Sequence, residues 1–217
     1  MELSAKGTNR RRRLFLTIGA SAVALLTFSG CTPVSGPPTS GPPTSSAPTH
    51  TTSSAPSIFG QINGDFVFAS GVGAWETTLT IAPDGSFTGH MHDTDMGATG
   101  PGYPNGTETV CDFSGHFRVI SQINQYEYSL VLVDLAQQGT PNDQSFKDGT
   151  MYVVGTPYGV ADGRIFTLYL PGHPVAALPD GYLSWVQGSG ALDISATTLP
   201  FWGLYNNSQQ QGFAGPR

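Results

Sequence analysis

Trp75, Thr77, Leu79 and Ile81 alternate with Glu76, Thr78 and Thr80, the two-residue period of a strand with one face on a core and the other on solvent. Pro83-Asp84-Gly85 follows with turn chemistry, and Phe87 and Met91 resume the apolar face, so a hairpin is expected. Between Thr109 and Val119 the period recurs: Cys111, Phe113, Phe117 and Val119 share one parity, while Asp112, Ser114, His116 and Arg118 share the other. Further strands are expected at 64–70, 126–135, 150–155, 164–170 and 199–205, separated by Gly, Pro, Asn and Asp. Only 175–186 suits a helix, and Pro179 limits its length. About eight short antiparallel strands with at most one short helix predict an all-β fold, a barrel or a sandwich.

The pattern is different at the N-terminus. Arg10 to Arg13 form a basic cluster, and residues 14–30 are uncharged and mostly apolar, the outline of a signal peptide. A run of that length is marginal for crossing a hydrocarbon core, which takes about 20 residues of helix. Phe28-Ser29-Gly30-Cys31 resembles the lipobox of bacterial lipoproteins, with Phe28 where Leu is usual. That resemblance implies cleavage after residue 30, diacylglyceryl and N-acyl (palmitate-type) lipid on Cys31, and a chain held in the cell membrane facing outside. Arg12-Arg13-Leu14-Phe15-Leu16 also resembles the twin-arginine export signal, although Arg11 and Thr17 depart from it and an ordinary basic leader reads equally well.

Residues 32–57 hold seven Pro and thirteen Ser or Thr among 26 positions, with SGPPTSGPPTS repeating on itself. So few large apolar side chains cannot offset the entropy of ordering, which predicts a disordered stalk. Its ends would stand about 30 Å apart as a coil and about 80 Å apart fully extended. The expected organisation is therefore a leader over 1–30, a lipidated cysteine and stalk over 31–57, and one β domain over 58–217.

That last segment carries 21 of the 23 aromatic residues, enough for a sizeable core. Four Lys or Arg against fourteen Asp or Glu leave it ten net negative charges. Nucleic-acid binding needs clustered cations and is excluded as a function class. With Cys31 lipidated, Cys111 has no partner for a disulfide, and its place on the apolar parity predicts a buried structural thiol.

Candidate chemistry centres on His90-Met91-His92-Asp93-Thr94-Asp95-Met96-Gly97. Two histidines one residue apart on a strand project from one face about 7 Å apart. Zinc takes imidazole and carboxylate ligands, which makes His90, His92, Asp93 and Asp95 candidates, with His116 on a neighbouring strand as a further one. Asp93-x-Asp95-x-Gly97 alternatively resembles the start of a calcium loop, without the acidic residue that closes an EF-hand. Solvated polar residues at a strand end are the third reading, with Asp93 capping a turn.

No nucleophile elbow, zinc-protease helix or phosphate loop occurs in the chain. A fold could still bring together carboxylates as far apart as Glu76, Asp93 and Asp112. Loops spanning 93–107 and 137–148 are the natural places for recognition on a rigid β scaffold. Tyr103, Tyr158, Trp185, Trp202 and Tyr205 are candidate contacts, since aromatic rings stack on sugars and apolar ligands, and a place in the core is the competing reading for each; Asn105 is a further candidate, although Asn105-Gly106-Thr107 also reads as a turn.

Gly73-Ala74-Trp75 resembles the G-x-W signature of lipocalins and other calycin barrels, whose Trp closes the barrel bottom, and this favours the barrel over the sandwich. More widely, the phrases WETTLTIAPDGSFTG, HDTDMG, GYPNGT, CDFSG, PYG, FTLYLPG and LPFWGLYN, spread from Trp75 to Asn207, resemble a family of uncharacterised Gram-positive cell-surface lipoproteins. The resemblance implies a location and brings no activity with it. It also implies that His92, Asp93 and Asp95 are the more general features and His90 the more particular one. The leading expectation is a lipid-anchored domain that binds a small ligand, a glycan or a surface protein. A structural or protein-interaction role in the envelope, and a metal-dependent hydrolase using zinc or calcium, are the alternatives. A cavity with aromatic walls would favour small-ligand binding, and a barrel packed with side chains would oppose it.

Overall fold

The computed structural model describes residues 57–217 apart from Val72, so the expected leader, the expected stalk and Cys31 lie outside the described residues. Ten strands form: β1 (Asp65–Ala69), β2 (Trp75–Ile81), β3 (Ser86–Asp95), β4 (Thr107–Asn124), β5 (Glu127–Gln137), β6 (Gln144–Lys147), β7 (Thr150–Val154), β8 (Ile165–Tyr169), β9 (Gly203–Asn206) and β10 (Gln211–Ala214). One helix, α1 (Asp180–Gly188), begins directly after Pro179, which fixes the backbone ahead of the first turn. Among the described residues, no helix is long and apolar enough to cross a membrane.

Eight of these strands close a ring in the order β3-β2-β1-β10-β9-β8-β5-β4, completed by the pairing of β3 with β4. Every neighbouring pair in the ring is antiparallel. The result is an up-and-down barrel, and the sandwich alternative falls away. The long strand β4 makes closure possible. Across its first ten residues it pairs with β3, from Thr107↔Asp95 to His116↔Ser86, and from Phe113 onward it pairs on its other side with β5. Register shifts after His116, Val119 and Gln122 add the local twist that curls the sheet.

The pair β6 and β7 stands outside the ring. β7 lies parallel to the start of β4, from Thr107↔Met151 to Val110↔Val154, and β6 pairs back on β7. Asp148 (φ 52°) and Gly149 (φ 78°) make the two-residue turn between them, both in the left-handed region that type I′ hairpins need. All four residues of β6 are exposed, and without apolar alternation the period-two pattern has nothing to register there. β10 was equally hidden, with Phe213 as its single large apolar side chain.

Inward-facing side chains fill the barrel. Phe66, Phe68, Leu79, Ile81, Phe87, Met91, Cys111, Phe113, Phe117, Leu130, Phe166, Leu168, Leu204 and Phe213 form one buried cluster. Phe59, on the short 3-10 turn Ile58–Gln61, closes one end, where it approaches Gly85. Val160, fully buried on the loop after β7, closes the other. Gly159 lets that loop come down: its φ is +82°, and a Cβ there would meet the rings of Phe213 and Phe68 at 2.6 and 2.8 Å.

A second cluster packs on the outside of β8, β9 and β10. There α1 and its flanking loops bring Leu178, Tyr182, Val186, Leu192, Leu199 and Phe201 onto Tyr169 and Tyr205. Tyr182 donates its hydroxyl to the Phe213 carbonyl at 3.1 Å. Its ring lies over Gly212, where a Cβ would come within 2.7 Å. β9 is buried on both faces as a result, so its sequence does not alternate.

Candidate functional site on the outer barrel face

Pairing registers place the histidines on a polar outer face. Across β2, β3 and β4, one row reads Glu76, His92, Val110 and the next reads Thr78, His90, Asp112. Met91 between the histidines is fully buried in the barrel, as is Cys111 opposite it, so both rows point away from the core. His90 Nδ1 lies 2.7 Å from Asp112 Oδ1 with both side chains about half exposed. The rings of His90 and His92 stand 6.3 Å apart and 28° from parallel.

Asp93, Asp95 and His116 do not join them. Asp93 is opposite Trp75 and Thr109 on the inward parity, at the barrel mouth, where its Oδ2 accepts a 3.3 Å hydrogen bond from the Tyr158 hydroxyl. Burial, then the neighbouring Asp93 charge, pushes the Tyr158 phenol up from its ordinary value. Asp95 caps the turn after β3, accepting from the Gly97 and Ala98 amides at 2.9 and 3.1 Å. His116 shares the outer face but pairs with Ser86, four residues along the ladder from the His90–Asp112 pair, and a strand rises about 3.4 Å per residue. It lines an open surface groove with Thr80, Ser86, Ser114 and Asp134. Among the described residues, no three ligating side chains converge on one point.

The residues expected to touch a ligand divide in a similar way. Tyr103 lies on the loop between β3 and β4 with its ring 5.8 Å from that of Phe146 on β6. Asn105 braces that loop: its Nδ2 donates to the Asp148 carbonyl, and its backbone amide donates to the Gly149 carbonyl, both at 2.9 Å. Trp185 stands at the barrel mouth, its ring 4.7 Å from Phe68 and 6.0 Å from Trp75, and its Nε1 donates to the Gln210 carbonyl at 2.8 Å. Trp202 and Tyr205 are buried, Trp202 in the barrel cluster and Tyr205 under α1.

Two features escape the sequence pattern. His173, on the loop after β8, is buried against Glu127 with Nε2 and Oε1 2.6 Å apart; an isolated histidine in PGHP carries no periodic signal. Met96, just after β3, and Phe146, on β6, are exposed by 78% and 58%, and the half-buried Tyr103 ring lies beside that of Phe146.

Cys111 is 2% exposed, and burial followed by the Asp112 charge pushes its thiol up, the opposite of what a catalytic thiolate needs.

Fold and site together define a closed, side-chain-filled, eight-stranded up-and-down β-barrel with a two-stranded annex and a polar histidine–carboxylate face. No family model, curated protein or solved structure matches the chain.

Proposed function

We propose that this protein is a lipid-anchored cell-surface lipoprotein whose barrel is a binding module that meets a macromolecular surface component, glycan or protein, on its outside. The observation that carries the second half is the packed interior. Large side chains occupy the barrel from Phe59 at one end to Val160 at the other, and every pocket described opens on the exterior. A small ligand of ordinary size buries most of its surface in a concave site, and the barrel offers it none. Exposed Phe146 against the half-buried Tyr103 ring supplies apolar contact area instead, of the kind that marks interaction sites. The anchored half rests on the basic cluster at Arg10 to Arg13, the apolar run and Phe28-Ser29-Gly30-Cys31.

Both halves are tested in one bacterial host. Labelled palmitate should enter the full chain and be lost in Cys31→Ala; incorporation that survives the substitution defeats the anchored reading. Detergent-extracted chain should sediment with membrane-free cell-wall fragments, and Phe146→Ser with Tyr103→Ser should release it without lowering the melting temperature. A small molecule held inside the barrel in native mass spectra would overturn recognition on the exterior.

A further inference from the structure

We infer that His90 and His92 chelate one zinc or copper(II) ion, with Asp112 holding His90 in the tautomer that binds it. This does not depend on how the protein is anchored or what Phe146 and Tyr103 engage.

The hydrogen bond between His90 and Asp112 is the first argument. An ionised carboxylate only accepts, so Nδ1 carries the proton that spans the 2.7 Å to Asp112 Oδ1. The lone pair is then on Nε2 of a ring that is about half exposed. A carboxylate bonded to one ring nitrogen while the other is left free is the outer-shell arrangement that orients metal-binding histidines and raises their basicity.

The spacing is the second. A zinc–nitrogen bond of about 2.0–2.1 Å puts the ion about 3.2 Å from each ring centre, so two imidazoles on a tetrahedral ion have centres about 5 Å apart. The observed 6.3 Å is about 1 Å wider. Rotation of the His92 side chain on the open strand face is what closes that gap, with His90 kept on Asp112. The strand keeps both imidazoles on one side because successive residues alternate. Water completes the coordination shell, consistent with the absence of a third converging ligand among the described residues. Imidazole donors select zinc, copper and nickel over calcium or magnesium. Glu76, cross-strand from His92, adds negative charge to the same face, and the domain's net charge favours cation approach.

The test uses the chelator-washed full chain titrated with zinc and with copper(II) by calorimetry. One ion should bind per chain. His90→Ala and His92→Ala should each weaken binding at least tenfold, with the circular dichroism melt unchanged because both side chains face outward. His116→Ala, on the same face but further along β4, should leave binding as it is. Asp112→Asn should weaken binding about tenfold or more and, in nitrogen-15 spectra of the metal-free chain, move the His90 ring proton off Nδ1. That spectroscopic change separates positioning from mere packing. Binding that survives both histidine substitutions, or absence of binding at millimolar zinc and copper, overturns the site. Unchanged affinity in Asp112→Asn overturns the positioning role.

Discussion

His173 Nε2 lies 2.6 Å from Glu127 Oε1, and the two side chains are 3% and 18% exposed. The other ring nitrogen, Nδ1, is 2.9 Å from the Pro174 carbonyl, and the rings of Tyr126 and Tyr169 flank the imidazole. This pair ties the loop that leads to α1 onto the start of β5. Removing one member of a buried pair strands the other without its partner, which costs more than the pair contributes. Glu127→Leu should lower stability by about 3 kcal/mol, read as a lower urea midpoint at constant slope. Combining it with His173→Leu should recover part of the loss; a double variant worse than the sum of the singles would contradict this account.

Alkaline stability follows from the tyrosines around the same cluster. Burial pushes the phenols of Tyr182 and Tyr169 well above 10.0, and at Tyr169 the Glu127 charge adds to it. Between the unfolded value and the higher folded one, the unfolded chain releases protons that the folded chain keeps. The stabilisation is therefore complete below about pH 10 and is lost as pH rises beyond it. In an ultraviolet titration, part of the tyrosinate absorbance should appear only together with unfolding; full ionisation of all the tyrosines in a still-folded protein would contradict the burial.

Thr77 is fully buried in the barrel, and its hydroxyl has no hydrogen-bond partner. An unmet buried hydroxyl costs on the order of 1–2 kcal/mol. Thr77→Val keeps the shape and removes that cost, so it should raise stability by about 1 kcal/mol. A drop in the melting temperature would mean the hydroxyl has a role the packing does not reveal.

The mouth loop depends on Gly159, held at φ +82° above Phe68 and Phe213 and tied by its carbonyl to the Asn206 side chain at 3.0 Å. Gly159→Ala combines left-handed strain of about 1–2 kcal/mol with a steric clash. It should destabilise the domain by at least 2 kcal/mol and increase binding of a hydrophobic dye, because Val160 no longer seals the barrel. A neutral effect would show that the loop is loosely placed.

Alternating side chains along 75–81, 86–91 and 109–119 made three strands and their inward faces legible, since a half-buried strand must alternate. The same parity put Cys111 inside the barrel and His90 and His92 on one outer face. It was silent where burial is two-sided, as in β9 between barrel and helix, or absent, as in β6. It also grouped Asp93, Asp95 and His116 with the histidines because they are close in sequence or share a parity. Odd and even positions of β3 face opposite sides of the sheet, and the β3–β4 register sets His116 four residues beyond Asp112.

The chain's own pattern thus determined that strands form and which side chains each turns to the core, and it set a basic cluster and an apolar run ahead of a Pro/Ser/Thr-rich stretch. Local periodicity and composition act over neighbouring residues and need no partner. Tertiary structure alone decided that the sheet closes on itself, that its interior is packed, and that Asp112 rather than Asp93 stands beside His90. Those outcomes depend on register between strands distant in sequence, which is set by the fit of whole faces rather than by any one segment.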